Sequence, residues 1–307
     1  MTTVASILVD IDAVATDHPA LEQAVRLAGR CGARVKIVDV LPRVPPGVRH
    51  FVTPELEEEL TDHRRGRLTA VADSVQGVSV TRELLRGRPG TALIQEVLRS
   101  GHDLLVRSHG RDRAEGSKPF GAIDMELLRH CPCPVWLIAR RGSPSARWRI
   151  LAAIHANPGD AAEQELNGTI LDWALTLKAF GDAELTLLQA WTPYGASLLR
   201  SRMSPDEFTE FIEAARRTED EALAGFIEPF TDRLTDVAVE LVQGEPEDAI
   251  ARFAESHGID VVVMGTVARA GIAGLVMGNT AERVLQRLRG SVLAVKPPDF
   301  KSPLADT

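Results

Sequence analysis

Short apolar runs rich in β-branched residues alternate with longer amphipathic stretches along the whole chain. Apolar runs bounded by turn residues are typical of buried strands in a parallel sheet, and the stretches between them are typical of the helices that cover it. We predict strands at residues 7–11, 35–40, 78–85, 104–107, 135–138, 150–154, 185–189, 237–242, 261–264 and 292–295. We predict helices at residues 20–31, 54–75, 90–100, 123–130, 165–180, 205–226, 247–257 and 280–288, with Pro54 and Pro205 in first turns.

The two halves of the chain are copies of each other. The segment LLRGRPGTALIQEVLRSGHDLLV at 84–106 aligns without a gap with LVQGEPEDAIARFAESHGIDVVV at 241–263, and the same shift of 157 places Gly121 on Gly278. SILVDID at 6–12 aligns with RILAAIH at 149–155 by a shift of 143, so the second copy carries insertions, which we place in loops at 155–168 and 190–205. A repeat of this length indicates a duplicated domain. We therefore predict two tandem doubly wound α/β domains, each with a five-stranded parallel sheet, at residues 1–142 and 148–298.

Composition and charge narrow the class of protein. The chain has 307 residues, of which 44% are hydrophobic and 25% charged, the balance of a soluble globular protein. Its net charge of −8, without a basic stripe, argues against nucleic-acid binding and favours small molecules or proteins as partners. No apolar stretch approaches the roughly 20 residues of a membrane span, and no leader-like segment opens the sequence, so we expect a cytoplasmic protein.

The cysteine and histidine patterns do not predict a catalytic or metal site. Cys31, Cys131 and Cys133 have neither the number of a disulfide framework nor the spacing of a zinc site, so we expect reduced thiols. In Cys131-Pro-Cys133-Pro the pattern favours packing over a redox role. The eight histidines are scattered, and no Ser/His/Asp or Cys/His set has the context of a nucleophile. We therefore expect no metal ligands and no catalytic residues.

One junction in the second copy has the form of a phosphate cradle. VVVMGTVARAGIAGLVMGNTAERVL at 261–285 contains Gly265-x-x-Ala268, nine residues, then Gly278-Asn279-Thr280 at a predicted helix start. Backbone N–H groups and the positive end of a helix dipole suit a phosphate group there. Over nearly its whole length the chain resembles the universal stress protein family. The resemblance is carried by this spacing, by the duplication, by the first-strand segment ILVDID and by the G-x-P before the third helix. ATP-binding members of that family carry G-x-x-G, nine residues, then G-S or G-T.

Each copy departs from the family pattern in a different way. In the second copy Ala268 replaces a glycine, Asn279 replaces the hydroxyl residue, and His155 replaces the aspartate that follows the first strand. The first copy keeps that aspartate as Asp12 and keeps Gly121. Its other cradle positions hold Ser108, Arg111 and Ala122. Neither copy therefore retains the whole nucleotide-binding set.

The resemblance implies a Rossmann-like fold of the adenine nucleotide alpha hydrolase type and a role in stress resistance. We interpret the chain as a stress-response binding and signalling protein without strong catalytic activity, whose second copy carries a degenerate nucleotide-type site. The candidate ligand-binding residues are Gly265, Thr266, Gly278, Asn279, Thr280 and His155 in the second copy, and Asp12 and Gly121 in the first.

Two other functions and one internal contact follow from the same analysis. One alternative is a stress sensor that binds ATP with Mg²⁺ and hydrolyses it slowly. The other is a carrier of a partly apolar metabolite lodged near Trp191 and Tyr194. Because family members pair through their last strands, residues 135–138 and 292–295 are expected to meet in one chain as an intramolecular pseudo-dimer. A further homodimer and unidentified protein partners stay open.

Overall fold

The computed structural model describes residues 2–110, 119–139, 147–266 and 277–305. The chain divides into two compact units. The first unit contains residues 2–143 together with 291–307, and the second contains residues 144–290. The last predicted strand, at 292–295, thus groups with the first copy, whereas the expected boundaries assigned it to the second.

The first unit is a mostly parallel sheet covered by helices. Its sheet order is β3-β2-β1-β4-β5-β10, and only β10 runs antiparallel, with Val292 beside Leu137 of β5. The expected contact between residues 135–138 and 292–295 is therefore present. The elements are β1 (Ser6–Asp10), α1 (Pro19–Cys31), β2 (Arg34–Leu41), α2 (Pro54–Ser74), β3 (Val80–Arg86), α3 (Pro89–Ser100), β4 (Leu104–His109), α4 (Ala122–His130), β5 (Val135–Ala139) and β10 (Ser291–Val295), with a 3-10 turn at Pro46–Phe51.

The second unit repeats this plan with a parallel sheet in the order β8-β7-β6-β9. Its elements are β6 (Trp148–Ile154), α5 (Ala161–Phe180), β7 (Ala183–Trp191), α6 (Ala196–Leu199), α7 (Pro205–Ile227), β8 (Val237–Gln243), α8 (Pro246–Ser256), β9 (Val261–Gly265) and α9 (Asn279–Arg287), with a 3-10 turn at Glu228–Arg233. The predicted α/β class is confirmed in both units. In each sheet the chain order reverses beside the first strand of the copy, which is where open sheets bind ligands.

Local sequence explains most element boundaries. Thr53 accepts a hydrogen bond from the Leu56 N–H at 3.3 Å, and Ser204 forms a reciprocal capping box with Glu207, so both proline-led helices begin as predicted. The predicted insertion loop at 155–168 is wrong in its second half. Asp160 accepts from the Glu163 N–H at 3.1 Å and starts α5 four residues earlier than its predicted start at residue 165.

A buried charged cluster closes the amino edge of the first sheet. Glu96 of α3 is almost fully buried, and Lys36 of β2 contacts it at 2.6 Å. His102 lies 3.3 Å from Glu96 through Nε2 and 2.8 Å from the Ser6 hydroxyl through Nδ1. Burial raises the pKa of Glu96, but hydrogen bonds from Lys36, Ser100 and His102 outweigh it and bring the pKa down to about 2. Burial is also the main reason that the pKa of His102 is lowered.

No helix in the part of the chain that the structure describes is both long and apolar enough to cross a membrane.

Candidate functional site

The candidate site of the second unit lies where β6 and β9 end. The two strands run parallel with Ala153 beside Met264, so both reach the same edge of the sheet. His155 follows β6, Gly265 ends β9, and Gly278 precedes the first turn of α9. The sequence-predicted residues of this copy are therefore positioned by neighbouring strand ends, as an open-sheet ligand site requires.

Two buried amides fix the chain after β6. Asn167 of α5 donates through Nδ2 to the His155 carbonyl at 2.8 Å and accepts from the His155 N–H at 3.3 Å. The Ala156 N–H donates to Oε1 of Gln189 at 2.9 Å, and Gln189 is fully buried. Sequence analysis missed both amides, because their partners lie far along the chain and no local pattern indicates them.

An imidazole and a carboxylate stand where the family has an aspartate. Nδ1 of His155 lies 2.7 Å from Oε1 of Glu163, in the first turn of α5. The His155 side chain is about half exposed, whereas that of Glu163 is 17% exposed. The early start of α5 is what brings Glu163 to this edge. A His–Glu pair can donate and accept hydrogen bonds at a ligand, which a lone aspartate cannot.

The junction between β9 and α9 is closely packed. A Cβ atom at Gly265 would lie 2.7 Å from Cδ2 of Leu166, so the backbone approaches α5 more closely than a side chain there allows. Thr266 is buried, and its carbonyl accepts a hydrogen bond from the Gly278 N–H at 3.1 Å. The exit of β9 is therefore tied to the start of α9. The Gly278 N–H supports the loop, while Ala268 lies outside the described residues.

Among the described residues no side chain caps the first turn of α9, which contains the half-buried Glu282. Asn279 and Thr280, its first two residues, are exposed. The N–H groups of a first helical turn lack intrahelical acceptors, and the helix dipole makes this end attractive to an anion. This end of α9 is the part of the candidate site best suited to a phosphate or another anionic group.

The equivalent helix start in the first unit is capped by a carboxylate of its own chain. Oδ2 of Asp124 accepts the Gly121 N–H at 2.7 Å, and Oδ1 accepts Nε of Arg107 at 3.0 Å. Arg107 also contacts Asp10, which is buried like Asp124. Two carboxylates and one guanidinium thus cluster at the helix start that corresponds to the predicted cradle of the second copy. The residues 111–118 of the same loop, including the expected Arg111, lie outside the described part.

None of these ionic groups has a counterpart in the second unit. The internal alignment places Ala153 on Asp10, Met264 on Arg107 and Ala281 on Asp124. Ala153, Met264 and Ala281 are all buried. The duplication has therefore produced one helix start closed by an ion cluster and one that is left without a side-chain cap.

Asp12, the candidate from the first copy, also has a cationic neighbour. Nη2 of Arg64 lies 3.6 Å from Asp12, while Nη1 holds both oxygens of Asp39 at 2.8 and 2.7 Å. Asp39 is almost fully buried, and burial raises its pKa despite the opposing effect of Arg64. Asp12 itself accepts the Val14 N–H at 3.3 Å. In this unit Asp12 and Gly121 are each engaged by nearby side chains, and sequence analysis did not identify Arg64.

A separate cavity of about 450 Å³ opens between α6 and α7 of the second unit. The Arg200 guanidinium lies 5.9 Å from the centre of the Phe208 ring at this cavity. Trp191 is buried in the core, and Tyr194 is 93% exposed, so neither forms its wall. The lining is amphipathic and comes from Ala196, Ser197, Arg200, Phe208, Thr209, Ile212, Glu213 and Gln243.

The fold defines a doubly wound α/β protein with duplicated domains. Two segments, residues 4–139 and 161–296, match the universal stress protein family. The chain belongs to this family.

Relatives of known name or structure resemble the chain over nearly its whole length. It is 29% identical to universal stress protein E of Escherichia coli strain K12, with 97% of this chain and 96% of that protein covered. It is also similar to a functionally unknown protein from Pseudomonas aeruginosa PAO1, whose crystal structure superposes with a TM-score of 0.72 at 26% identity and covers 99% and 96% of the two chains. A universal stress protein from Archaeoglobus fulgidus shares the fold at 16% identity and a TM-score of 0.65.

Proposed function

We propose that the chain is a stress-response binding and signalling protein without strong catalytic activity, and that its ligand site is the carboxyl edge of the second unit. The ligand class we propose is an anionic, nucleotide-type molecule whose phosphate lies at the first turn of α9. His155 and Glu163 would contact the part of the ligand nearer β6. The first unit acts as a structural copy, since its equivalent helix start is already capped.

One observation carries this proposal, the difference between the two helix starts. Asp124 caps α4, whereas Ala281 stands at the same position of α9, where no side-chain cap is found among the described residues. The Gly278 N–H donates to the Thr266 carbonyl, so the difference between the units lies in the charge at the helix start, since a carboxylate at the N-terminus of a helix repels a phosphate. The geometry of the second unit therefore favours an anion where that of the first unit opposes it.

A matched pair of substitutions tests the proposal. Asn279 and Ala122 occupy the first position of α9 and α4, and both are exposed. Changing either to Asp adds a negative charge that suits a helix start, so neither change is expected to harm folding. In calorimetric titrations with ATP and Mg²⁺, Asn279→Asp should weaken binding about tenfold through charge repulsion, whereas Ala122→Asp should leave it unchanged. Equal effects of the two changes would refute the assignment to the second unit.

The first alternative is an ATP-binding sensor with slow hydrolysis. It uses the same edge of the second unit, and it predicts release of inorganic phosphate from ATP by the purified protein. Replacement of Gly278 by valine should then lower both ATP affinity and phosphate release. Binding of ATP without phosphate release would favour the signalling role, and no binding at millimolar ATP and Mg²⁺ would exclude the ATP-sensor alternative.

The second alternative, a carrier of a partly apolar metabolite, is favoured by the cavity between α6 and α7. Its volume of about 450 Å³ lies within the usual range of small-molecule pockets. Arg200 and Phe208 would hold an anionic group and an apolar body. Native mass spectrometry of protein purified without added ligand should reveal a bound molecule that is lost on Phe208→Ala. A ligand-free mass for the unaltered protein would count against this function.

A further inference from the structure

Two thiols lie side by side in the buried connection between α4 and β5. Sγ of Cys131 is 3.6 Å from Sγ of Cys133, and the two residues are separated only by Pro132. Cys131 is fully buried and Cys133 is 8% exposed. A disulfide requires sulfur atoms about 2 Å apart, so the two thiols are in contact but not bonded. Neither thiol contributes to the candidate ligand site.

A buried lysine accompanies this pair. Lys296 directly follows β10 and is 5% exposed. Its Nζ atom has no hydrogen-bond partner within the described ranges and lies 5.0 Å from the centre of the Phe300 ring. A buried ammonium group without hydrogen bonds is costly, and such groups are retained where they have a charge to balance. Burial lowers the pKa of Lys296, and the neighbouring Cys131 and Cys133 only partly oppose this lowering.

The two thiols and the lysine shift one another's pKa values. Burial raises the pKa of Cys131, but the hydrogen bond with Cys133 and the charge of Lys296 outweigh it and lower this pKa. Burial and the neighbouring Cys131 raise the pKa of Cys133. The two thiols are therefore coupled, and Cys131 is the one that loses its proton more readily. Redox-sensitive cysteines pair a low-pKa thiol with a second thiol and are reached by the oxidant, so peroxide must enter here through the packing around Cys133, which is 8% exposed.

We propose that Cys131 and Cys133 are a peroxide-sensitive dithiol, which hydrogen peroxide converts to a reversible intrachain disulfide. The Cys131 thiolate attacks one peroxide oxygen, so that an S–O bond forms, the O–O bond breaks and the departing hydroxide takes a proton to become water. Cys133 then attacks the sulfenic sulfur, so that the S–S bond forms, the S–O bond breaks and a second water leaves with the Cys133 proton. Two thiols lose two electrons, and one peroxide is reduced to two waters.

The position of the pair gives its oxidation a structural consequence. β5 begins two residues after Cys133, and its antiparallel partner β10 ends at the residue before Lys296. Formation of the disulfide removes the two ionisable thiols, which are the groups that raise the pKa of the buried Lys296. Oxidation should therefore weaken the packing at the ends of β5 and β10, which the reduced pair stabilises.

The test uses the full chain with Cys31→Ser, so that the pair supplies the only thiols. The reduced protein is treated with hydrogen peroxide, and intact mass and thiol content are followed with time. The expected product has lost both thiols and two hydrogen atoms, and dithiothreitol restores it. Stable addition of oxygen atoms without a disulfide, or thiols that stay reduced until the protein unfolds, would overturn the proposal.

Two substitutions of Lys296 test the role of its charge. Lys296→Met removes the charge with little change in volume and should slow oxidation about tenfold or more, because the thiolate fraction falls. Lys296→Arg keeps the charge and should react within about threefold of the parent protein. Circular dichroism checks that both variants fold. If one of them does not fold, the oxidation product of the Cys31→Ser protein still tests the proposal. Equal rates for the two variants would overturn the role of Lys296 in the mechanism.

Discussion

The ion cluster of the first unit leads to a quantitative prediction about the two copies. Arg107 is the cation shared by Asp10 and Asp124, both of them buried. Changing Arg107 to methionine, the residue found at the matching position 264, removes the guanidinium that both carboxylates contact. Removal of one partner from a buried ion pair costs about 3–5 kcal/mol, because an uncompensated charge remains. We expect the free energy of unfolding of the first unit to fall by this amount.

The control variant converts the whole cluster to the residues of the second copy. The triple variant carries Asp10→Ala, Arg107→Met and Asp124→Ala. It has no charged side chain of this cluster and has the same apolar residues as the matching positions of the second unit. Apolar replacement of a complete buried ion cluster is often nearly neutral, although loss of the cap by Asp124 costs about 0.5–2 kcal/mol. The triple variant should therefore be within about 2 kcal/mol of the parent, and more stable than Arg107→Met alone.

Urea unfolding followed peptide by peptide through hydrogen exchange measures both variants. For a unit of this size the urea dependence is about 2 kcal/mol per molar, so 3–5 kcal/mol corresponds to a midpoint lowered by about 1.5–2.5 M. Peptides from β1 and β4 report the first unit. A loss below about 1 kcal/mol for Arg107→Met, or a triple variant no more stable than the single one, would refute the assigned role of the cluster.

Three further predictions concern stability. The charged form of Glu96, with its pKa of about 2 against an ordinary 4.5, stabilises the fold above pH 4.5 and loses this effect as the pH falls toward 2. Urea unfolding should therefore show Glu96→Gln about 2–3 kcal/mol less stable at pH 7, with a smaller difference at pH 3. Gly265→Ala should cost about 1 kcal/mol in thermal unfolding, and Leu166→Ala should remove that cost by making room for the new methyl group. Asn167→Ala should cost about 1–3 kcal/mol and speed exchange of the His155 amide, since the part-buried carbonyl and N–H of His155 lose their hydrogen bonds to the Asn167 side chain.

The sequence pattern predicted the elements whose signals are local. Continuous apolar strands, the internal alignment and proline-led helices such as the one after Thr53 specified the fold class and most boundaries. The start of α5 was predicted too late, because Asp160 is a short-range cap that the loop assignment overlooked. Both the existence of the duplicate and its fold could therefore be predicted without coordinates.

The site depends on contacts between residues far apart in sequence, which the pattern cannot provide. Arg107 and Asp10 are 97 residues apart, and Arg64 reaches Asp39 across 25 residues. The candidate loop in the second copy was identified from its glycines, but the capping role of Asp124 became evident only in the structure. Charged residues at the ends of strands pair with residues that are distant in sequence. Sequence alone therefore does not distinguish a carboxylate that binds a ligand from one that caps a helix.

Divergence between the copies gives the chain one closed and one open helix start. In the first unit Asp124 satisfies the Gly121 N–H and pairs with Arg107. In the second unit the equivalent positions are apolar, and α9 has no side-chain cap. A duplicated domain can retain one copy for stability and leave the other for ligand binding, and this division is the central claim of our account.

Hydrogen exchange in the presence and absence of ATP with Mg²⁺ tests this claim most directly. Peptides that cover residues 277–282 of the second unit and residues 121–126 of the first unit report the two helix starts in a single sample. Our account predicts slower exchange in the 277–282 peptide on addition of ligand and no change in the 121–126 peptide. Protection of the 121–126 peptide, or no protection of either, would contradict it.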